Sequence, residues 1–505
     1  MALRSLLASD SLPVAWRIAL ALFAITVATR LPFQTEHLWA HDSVLYARAI
    51  AAFDPPAHQP QPPGYLFYVL LLRAVDAVVA DPNRAMTLVS AVAAAAAVAL
   101  LYLLAARLYD ERTGRIAALF LLTAVTFWGE GAVAYPYTLL AALTTAVALL
   151  LWHAFDRRQD PGPSPSQRGR RLLVASAAWG VAIGLRSDLA IVLAPLWLLA
   201  AAGTAVAWAA LSALAVAALV AVWLAATSAL TPGGASAFLA AVGVQAAFVD
   251  ERYGIGGRGP EAIARNGREL ARFLWRGLYA LIPLLGALVV SAEIRRIESR
   301  ERRRLAFLLL WTAAPLPLYL LVHVGEYGYV FSMLPGLCVL SARGAIGIVR
   351  GARVPGLLPW VVGAVAIANA VVFLFSDSPL AARDLERRDR GIAEKVAYLR
   401  AHLDPSAAVI VTAYEQLTIE HYLAGYTLSA YEPEATPELE RRVECPRPSA
   451  CPSRITLVVW DELLRPSGEG WTMVRFPSGS RLAVAERSPG SSLRVRDGVR
   501  LELVP

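Results

Sequence analysis

Lysine, cysteine and charge are all scarce in this 505-residue chain. Charged residues make up 17%, against roughly 25% in average soluble chains. That shortage excludes a disordered chain, which needs charge and few apolar residues. Three cysteines are too few for a disulfide-built secreted domain. Zinc spacings of the CxxC or HExxH kind are missing as well. Of the 47 basic residues, all but Lys395 are arginine. Together with abundant alanine, this points to a GC-rich bacterial genome rather than to chemistry. No small-residue cleavage site follows the first apolar block, Val14–Thr29, which is expected to remain as a signal anchor behind Arg4 and Arg17.

Long apolar runs are plentiful. The chain is 57% hydrophobic, and Ala85–Ala106, Gly131–Phe155 and Val354–Ser376 contain no charge. Runs of about 18 or more apolar residues are candidate membrane spans. A cytosolic enzyme and a secreted domain are thereby excluded. The expected fold class is an α-helical polytopic membrane protein with about 11 transmembrane helices and a small C-terminal extracytoplasmic α/β domain. The spans read as 14–30, 85–107, 115–130, 135–155, 172–186, 189–203, 205–230, 276–292, 305–322, 328–349 and 355–376. Residues 1–376 form the membrane part, with outer loops 31–83 and 231–276, and residues 377–505 form the soluble part.

The net charge of +8 follows the membrane rather than nucleic acid. Loops 107–115, 156–171, 293–304 and 343–353 carry seventeen arginines. All four are cytoplasmic if Gly64–Ala80 lies in the outer interface, and all move outside if it spans. The positive-inside rule selects the first arrangement. The N-terminus is then cytoplasmic and the tail lies outside a bacterial cytoplasmic membrane. Pro260–Phe273 has apolar residues at helical spacing between arginines and reads as an amphipathic surface helix. In the tail, Cys445 and Cys451 are expected to pair as a local disulfide, and Cys338 sits within a span.

With this threading, the scarce polar residues gather at the outer side: His41, Asp42, His58, Glu130, Arg186, Asp188, His323 and Glu326. The stretches Ile116–Gly129 and Leu172–Leu185 are each 14 residues, about 21 Å against about 30 Å of hydrocarbon. Helices that short would leave Glu130 and Arg186 at membrane depth. Charge there needs protein or a water-filled cavity around it.

Four segments together resemble the GT-C glycosyltransferases, and within them the bacterial family-39 group related to protein O-mannosyltransferases and aminoarabinose transferases. They are the outer loop with Asp42 followed by His58–Tyr65, Phe127–Glu130 with Tyr135, Gly184–Asp188, and His323–Tyr329 followed by Leu334–Pro335. The resemblance covers about residues 14–350. It implies a sugar carried on polyprenyl phosphate, an acceptor hydroxyl, and transfer with inversion at the outer face. It assigns the general base to Asp42. The family often has two adjacent acids there, whereas the neighbours here are His41 and Ser43.

A phosphate leaving group calls for a cation, and arginine's fork matches its oxygens. Arg186 is the first candidate, with Arg265, Arg268 and Arg272 as rivals; a structural pair of Arg186 with Asp188 is the bland alternative. Glu130 either contacts a sugar hydroxyl, orients Asp42, or is a buried acid satisfied by Tyr135 or Tyr137. His58 and Tyr65 either contact substrate or shape the entrance to the interfacial helix beside Pro62 and Pro63. His323, Glu326, Tyr327 and Tyr329 offer a polar turn for sugar or phosphate, or an aromatic anchor at the interface. No obligatory cofactor is expected. His41, Asp42, His58, Glu130 and Glu326 are ligand types suited to a divalent cation, but their spacing matches no metal motif. Expected partners are the lipid-linked donor, an acceptor glycan, lipid or protein, and the bilayer, with no nucleic acid. The competing readings are a lipid-linked glycan flippase or transporter, a polysaccharide polymerase, and a non-catalytic scaffold.

Overall fold

The computed structural model describes residues 13–156, 164–290, 299–354, 356–433, 437–443, 445–446 and 451–504. Arg4, parts of the arginine-rich loops 156–171 and 293–304, and the end of the expected span 276–292 lie outside the described residues. The chain divides into two compact units. One comprises Met1–Gln34 with Leu45–Ala382, the other Thr35–Val44 with Arg383–Pro505.

The first unit is helical. Its first half runs α1 Val14–Arg30, α2 His41–Ala51 (whose first turn belongs to the second unit), α3 Leu66–Val79, α4 Pro82–Leu108, α5 Glu111–Thr123, α6 Val125–Glu130, α7 Tyr137–Phe155, α8 Pro165–Leu185, α9 Leu189–Ala201 and α10 Val206–Leu230. Then follow α11 Gly234–Tyr253, α12 Ile255–Arg258, α13 Pro260–Leu278, α14 Ile282–Val290, α15 Ser299–Ala313, α16 Leu316–Leu321, α17 Leu334–Ala352 and α18 Leu357–Phe375. Among the described residues, eight helices are long and apolar enough to cross a membrane. Within the described residues, each expected span coincides largely with helix; α5 with α6, α8 and α9 fall outside the eight by length or composition. Helix α4 is central and packs on α1, α5 and α7. Asp81 caps its start by accepting from Arg84 N at 2.9 Å, with Pro82 at its first position. Its buried alanines Ala93, Ala94, Ala95 and Ala97 let neighbouring helices approach closely.

Two expectations need correction. The span over 172–186 does not begin at 172: α8 starts at Pro165, where Ser164 and Gln167 form a reciprocal capping box. It is 21 residues long, so shortness does not account for the depth of Arg186. The span over 115–130 is not one helix. Ala124 is extended (ψ 123°) and separates α5 from α6. Such a break strands carbonyls at the end of α5. The fully buried Arg30 meets one of them, donating from Nη2 to Leu122 O at 2.6 Å. Its guanidinium also lies 5.2 Å from the Trp128 ring, and Trp128 Nε1 donates to Thr29 O at 2.8 Å.

The amphipathic helix reaches beyond Phe273 to Leu278. Ala262, Asn266, Leu270, Phe273 and Gly277 form its buried face, while Arg268 and Arg272 are exposed. Residues 231–276 also contain a further 20-residue helix, α11, which the sequence reading did not foresee.

The second unit has helices α19 Ala382–His402 and α20 Gln416–Tyr422. Its strands are β1 Ala408–Thr412, β2 Thr427–Ala430, β3 Leu439–Arg442, β4 Ile455–Val459, β5 Arg465–Ser467, β6 Thr472–Arg475, β7 Arg481–Arg487, β8 Ser492–Arg496 and β9 Arg500–Val504. One sheet has the order β2-β1-β4-β7-β6 and the other β3-β8-β9-β5. Strand β1 is parallel to β2 and β4, and β7 is antiparallel to β4. Ile392, Val396 and Leu399 of α19 pack on Ile410, Val458 and Leu482. Cys445 and Cys451 are joined by a disulfide with Cα atoms 5.7 Å apart. Residues 35–44 fold with this unit: His37 N donates to Asp389 Oδ1 at 2.8 Å, and Leu38 N to the Tyr422 hydroxyl at 2.8 Å.

Candidate active site

The site in the helical unit is built around Arg186. Helix α8 ends at Leu185, and Arg186 leaves it in extended conformation (φ −152°, ψ 105°). The chain turns at once, Leu189 N donating to Arg186 O at 3.2 Å. Trp179 Nε1 fixes the turn by donating to Leu189 O at 2.8 Å. This geometry turns the guanidinium inward, where Arg186 is 6% exposed. Its Nε pairs with Asp188 at 3.3 Å. Its terminal carbon lies 4.6 Å from the Tyr137 ring and 5.6 Å from the Tyr329 ring. Cation–π contact of this kind strengthens when desolvated.

Tyr137 opens α7, and Tyr329 lies in the 3₁₀ turn Tyr327–Ser332. The Tyr319 hydroxyl holds that turn by donating to Tyr329 O at 2.8 Å. Gly328 is required there, because a β-carbon at this position would enter the Tyr137 ring. Glu130 ends α6 and is 1% exposed, and its Oε2 has no hydrogen-bond partner. It lies within electrostatic reach of both Glu326 and Arg186. Tyr65 is also within reach of Arg186, and Tyr46 packs on Tyr65 and Tyr68 at 5.8 and 5.1 Å. The site thus combines one buried cation, carboxylates and a wall of phenols. It can hold an anion on Arg186 and a polyol among the carboxylates and hydroxyls.

The segment before α3 is a tight loop. Asp54 and Gln59 exchange backbone hydrogen bonds at 2.6 and 2.8 Å. Gly64 has φ 92°, and a β-carbon there would meet Phe53 and Pro55 at 3.1 Å. His58 is exposed at φ 56°, and the Gln59–Pro60 and Pro62–Pro63 bonds are cis. The loop therefore brings Tyr65 to the site and leaves His58 on the surface.

The His323 ring lies 4.4 Å from Tyr253 and 5.7 Å from Tyr329, and its Nδ1 is buried without a partner. Arg265 stands 4.6 Å over Tyr253. A row of three rings, Tyr253, His323 and Tyr329, thus links Arg265 of α13 to the buried Arg186. Tyr327 packs on Phe273 at 4.7 Å. Burial, and then Arg265, lower His323 to about 4 from the usual 6.5. The folded state therefore binds fewer protons than the unfolded state between those values, and stability rises with pH there. Thermal melting is expected to worsen as pH falls from 6.5 to about 4, with His323→Phe flattening that limb. An unchanged limb in the variant would refute the assignment.

Asp42 lies in the first turn of α2, where the helix dipole favours a carboxylate. Both His41 and Asp42 belong to the 35–44 segment of the second unit. Among the described residues, no group of three or more His, Cys, Asp or Glu side chains is arranged to hold a metal ion. Sequence reasoning missed Tyr253 and Tyr319, and it considered Tyr137 only as a partner for Glu130. Gly328, in the turn between the Tyr327 and Tyr329 rings, was the available signal for close aromatic packing.

A family model described as dolichyl-phosphate-mannose-protein mannosyltransferase matches residues 61–230. No curated protein matches the chain by sequence. Among solved structures, ArnT from Cupriavidus metallidurans bound to undecaprenyl phosphate is 15% identical with a TM-score of 0.52, covering 94% of this chain and 97% of that one. Its apo form gives the same values. The Archaeoglobus fulgidus oligosaccharyltransferase in complex with Zn and sulfate is 16% identical with a TM-score of 0.48, covering 83% of this chain and 62% of that one. The chain thus shares its fold with ArnT over nearly its whole length.

Proposed function

We propose that this membrane-embedded GT-C chain is an inverting glycosyltransferase, moving a sugar from a polyprenyl-phosphate carrier to an acceptor hydroxyl. The observation that carries the reading is the buried Arg186, held between Tyr137 and Tyr329 within electrostatic reach of Glu130, which in turn faces Glu326. A buried arginine with one carboxylate partner and two aromatic faces still has donors for a phosphate. The neighbour solved with undecaprenyl phosphate supports a lipid carrier of that class.

In the proposed reaction, the acceptor oxygen attacks the anomeric carbon and forms the new glycosidic bond. The bond from that carbon to the phosphate oxygen breaks, and its electron pair leaves with the lipid phosphate. Arg186 stabilises the negative charge as it develops. Asp42 takes the acceptor proton, and Glu130 and Glu326 hold sugar hydroxyls. A transporter would place its charged groups near the midplane of repeated halves, whereas Glu130 and Arg186 lie at the ends of α6 and α8 and Glu326 just before the Tyr327–Ser332 turn, which favours the transferase reading.

Mass spectrometry of envelope glycans and glycoproteins from a deletion strain is expected to reveal one missing sugar, restored by the native gene. An unchanged glycan profile would count against the function. The reading also sets the site and the C-terminal unit on the outer side of the bacterial cytoplasmic membrane. A reporter fused after Ser376 should signal from outside, and one after Asp110 from the cytoplasm. A cytoplasmic signal at Ser376 would overturn the sidedness.

A further inference from the structure

The C-terminal unit contains a cavity of about 360 Å³, at the small end of the range for ligand sites. Two tryptophans border it, each with a cation beside its ring. Arg388 lies 5.0 Å from the Trp39 ring and donates to Glu415 at 2.9 Å. Lys395 lies 5.2 Å from the Trp460 ring, donates to Trp460 O at 3.1 Å and pairs with Glu462 at 3.3 Å. Each pair presents a donor and an acceptor side by side against an apolar ring.

The floor holds Asp461, 5% exposed. Its Oδ2 accepts from the Thr412 hydroxyl at 2.9 Å, from Tyr414 N at 3.1 Å and from Ala413 N. Its Oδ1 is buried with no partner, as is Arg388 Nε. Native proteins rarely leave such groups unpaired, because each costs about 1–3 kcal/mol. Burial also pushes the Asp461 carboxyl above its usual range, against three hydrogen bonds that favour the charged form.

From this cavity we infer a binding site for a neutral saccharide of one or two rings. A sugar hydroxyl both donates and accepts, which suits paired acid and base groups and the orphaned atoms of Asp461 and Arg388. The apolar face of a pyranose suits an indole. Three cations line the cavity, Arg387, Arg388 and Lys395, against four carboxylates, Asp384, Glu415, Asp461 and Glu462, leaving no surplus positive charge to select a phosphate. The site goes beyond the transferase reading and stands without it.

The test uses the full chain in lipid nanodiscs, because glycoside detergents carry sugar themselves. Saturation-transfer NMR is run with cellobiose, maltose and glucuronate, with inorganic phosphate followed by ³¹P line width. Saturation is expected to reach the ring protons of at least one disaccharide. Trp39→Ala should weaken that affinity at least tenfold, Trp39→Phe should retain most of it, and Asp42→Asn should leave it unchanged. Should Trp39→Ala melt early, Tyr414→Ala provides the second lesion, since that side chain is 46% exposed. Silence with both disaccharides, preference for glucuronate or phosphate, or insensitivity to both aromatic lesions would overturn the site. Because Asp42→Asn is read by binding alone, failure here is distinct from failure of the transferase reading.

Discussion

Arg186→Gln is expected to slow sugar transfer by about 10²–10³-fold, measured with a polyprenyl-phosphate sugar donor in proteoliposomes. The argument rests on the 6% exposure of Arg186 and its two aromatic neighbours. Low dielectric makes a fixed cation count most where negative charge appears in the transition state. The variant also strands Asp188, and removing one partner of a buried ion pair typically costs about 3–5 kcal/mol. Arg186→Gln combined with Asp188→Asn separates the two effects. That double variant should regain much of the stability and none of the rate. Arg186→Lys should recover only part of the rate, because it keeps the charge but loses the planar fork and ring stacking. Transfer within threefold of native in the stable double variant would remove Arg186 from the chemistry.

Asp42→Asn should reduce turnover by about 10²–10⁴-fold, the usual contribution of a placed general base. Donor binding should change little, because the phosphate is assigned to Arg186. The acid limb of the rate profile, set by ionisation of the base, should flatten in the variant, and Asp42→Glu should restore part of the rate. In the deletion strain, Asp42→Asn should express normally yet fail to restore the missing sugar. Full restoration would move the base elsewhere, with Glu130 next in line by its burial beside Glu326.

What was legible in the sequence was whatever short-range pattern encodes. Apolar runs mark the helices, and the four-residue recurrence of Ala262, Asn266 and Leu270 marks the buried face of α13. The capping box at Ser164 was equally local, with Gln167 three residues on, but the arginines after it masked the first turns of α8. The break at Ala124 has no proline or glycine to announce it; it is stabilised from 92 residues away by Arg30. The cage around Arg186 joins α6, α7, α8 and the Tyr327–Ser332 turn. Single members were therefore visible as odd polar residues, while Tyr253 and Tyr319 carried no mark in the sequence and Tyr137 stood out only as a neighbour of Glu130.

Membership of residues 35–44 in the C-terminal unit was the least legible feature, since His37 and Asp389 stand 352 residues apart. Its consequence concerns modularity. The tail looks like an appendage that could be trimmed at Ser376 or swapped for that of a protein of the same fold. It is not separable in that way. A trimmed chain would keep His37 and Leu38 but lose Asp389 and Tyr422, leaving the decapeptide that carries Asp42 without its folding partners. Domain-swapped chimaeras of this protein should therefore exchange two stretches of chain together, residues 35–44 and everything after 382.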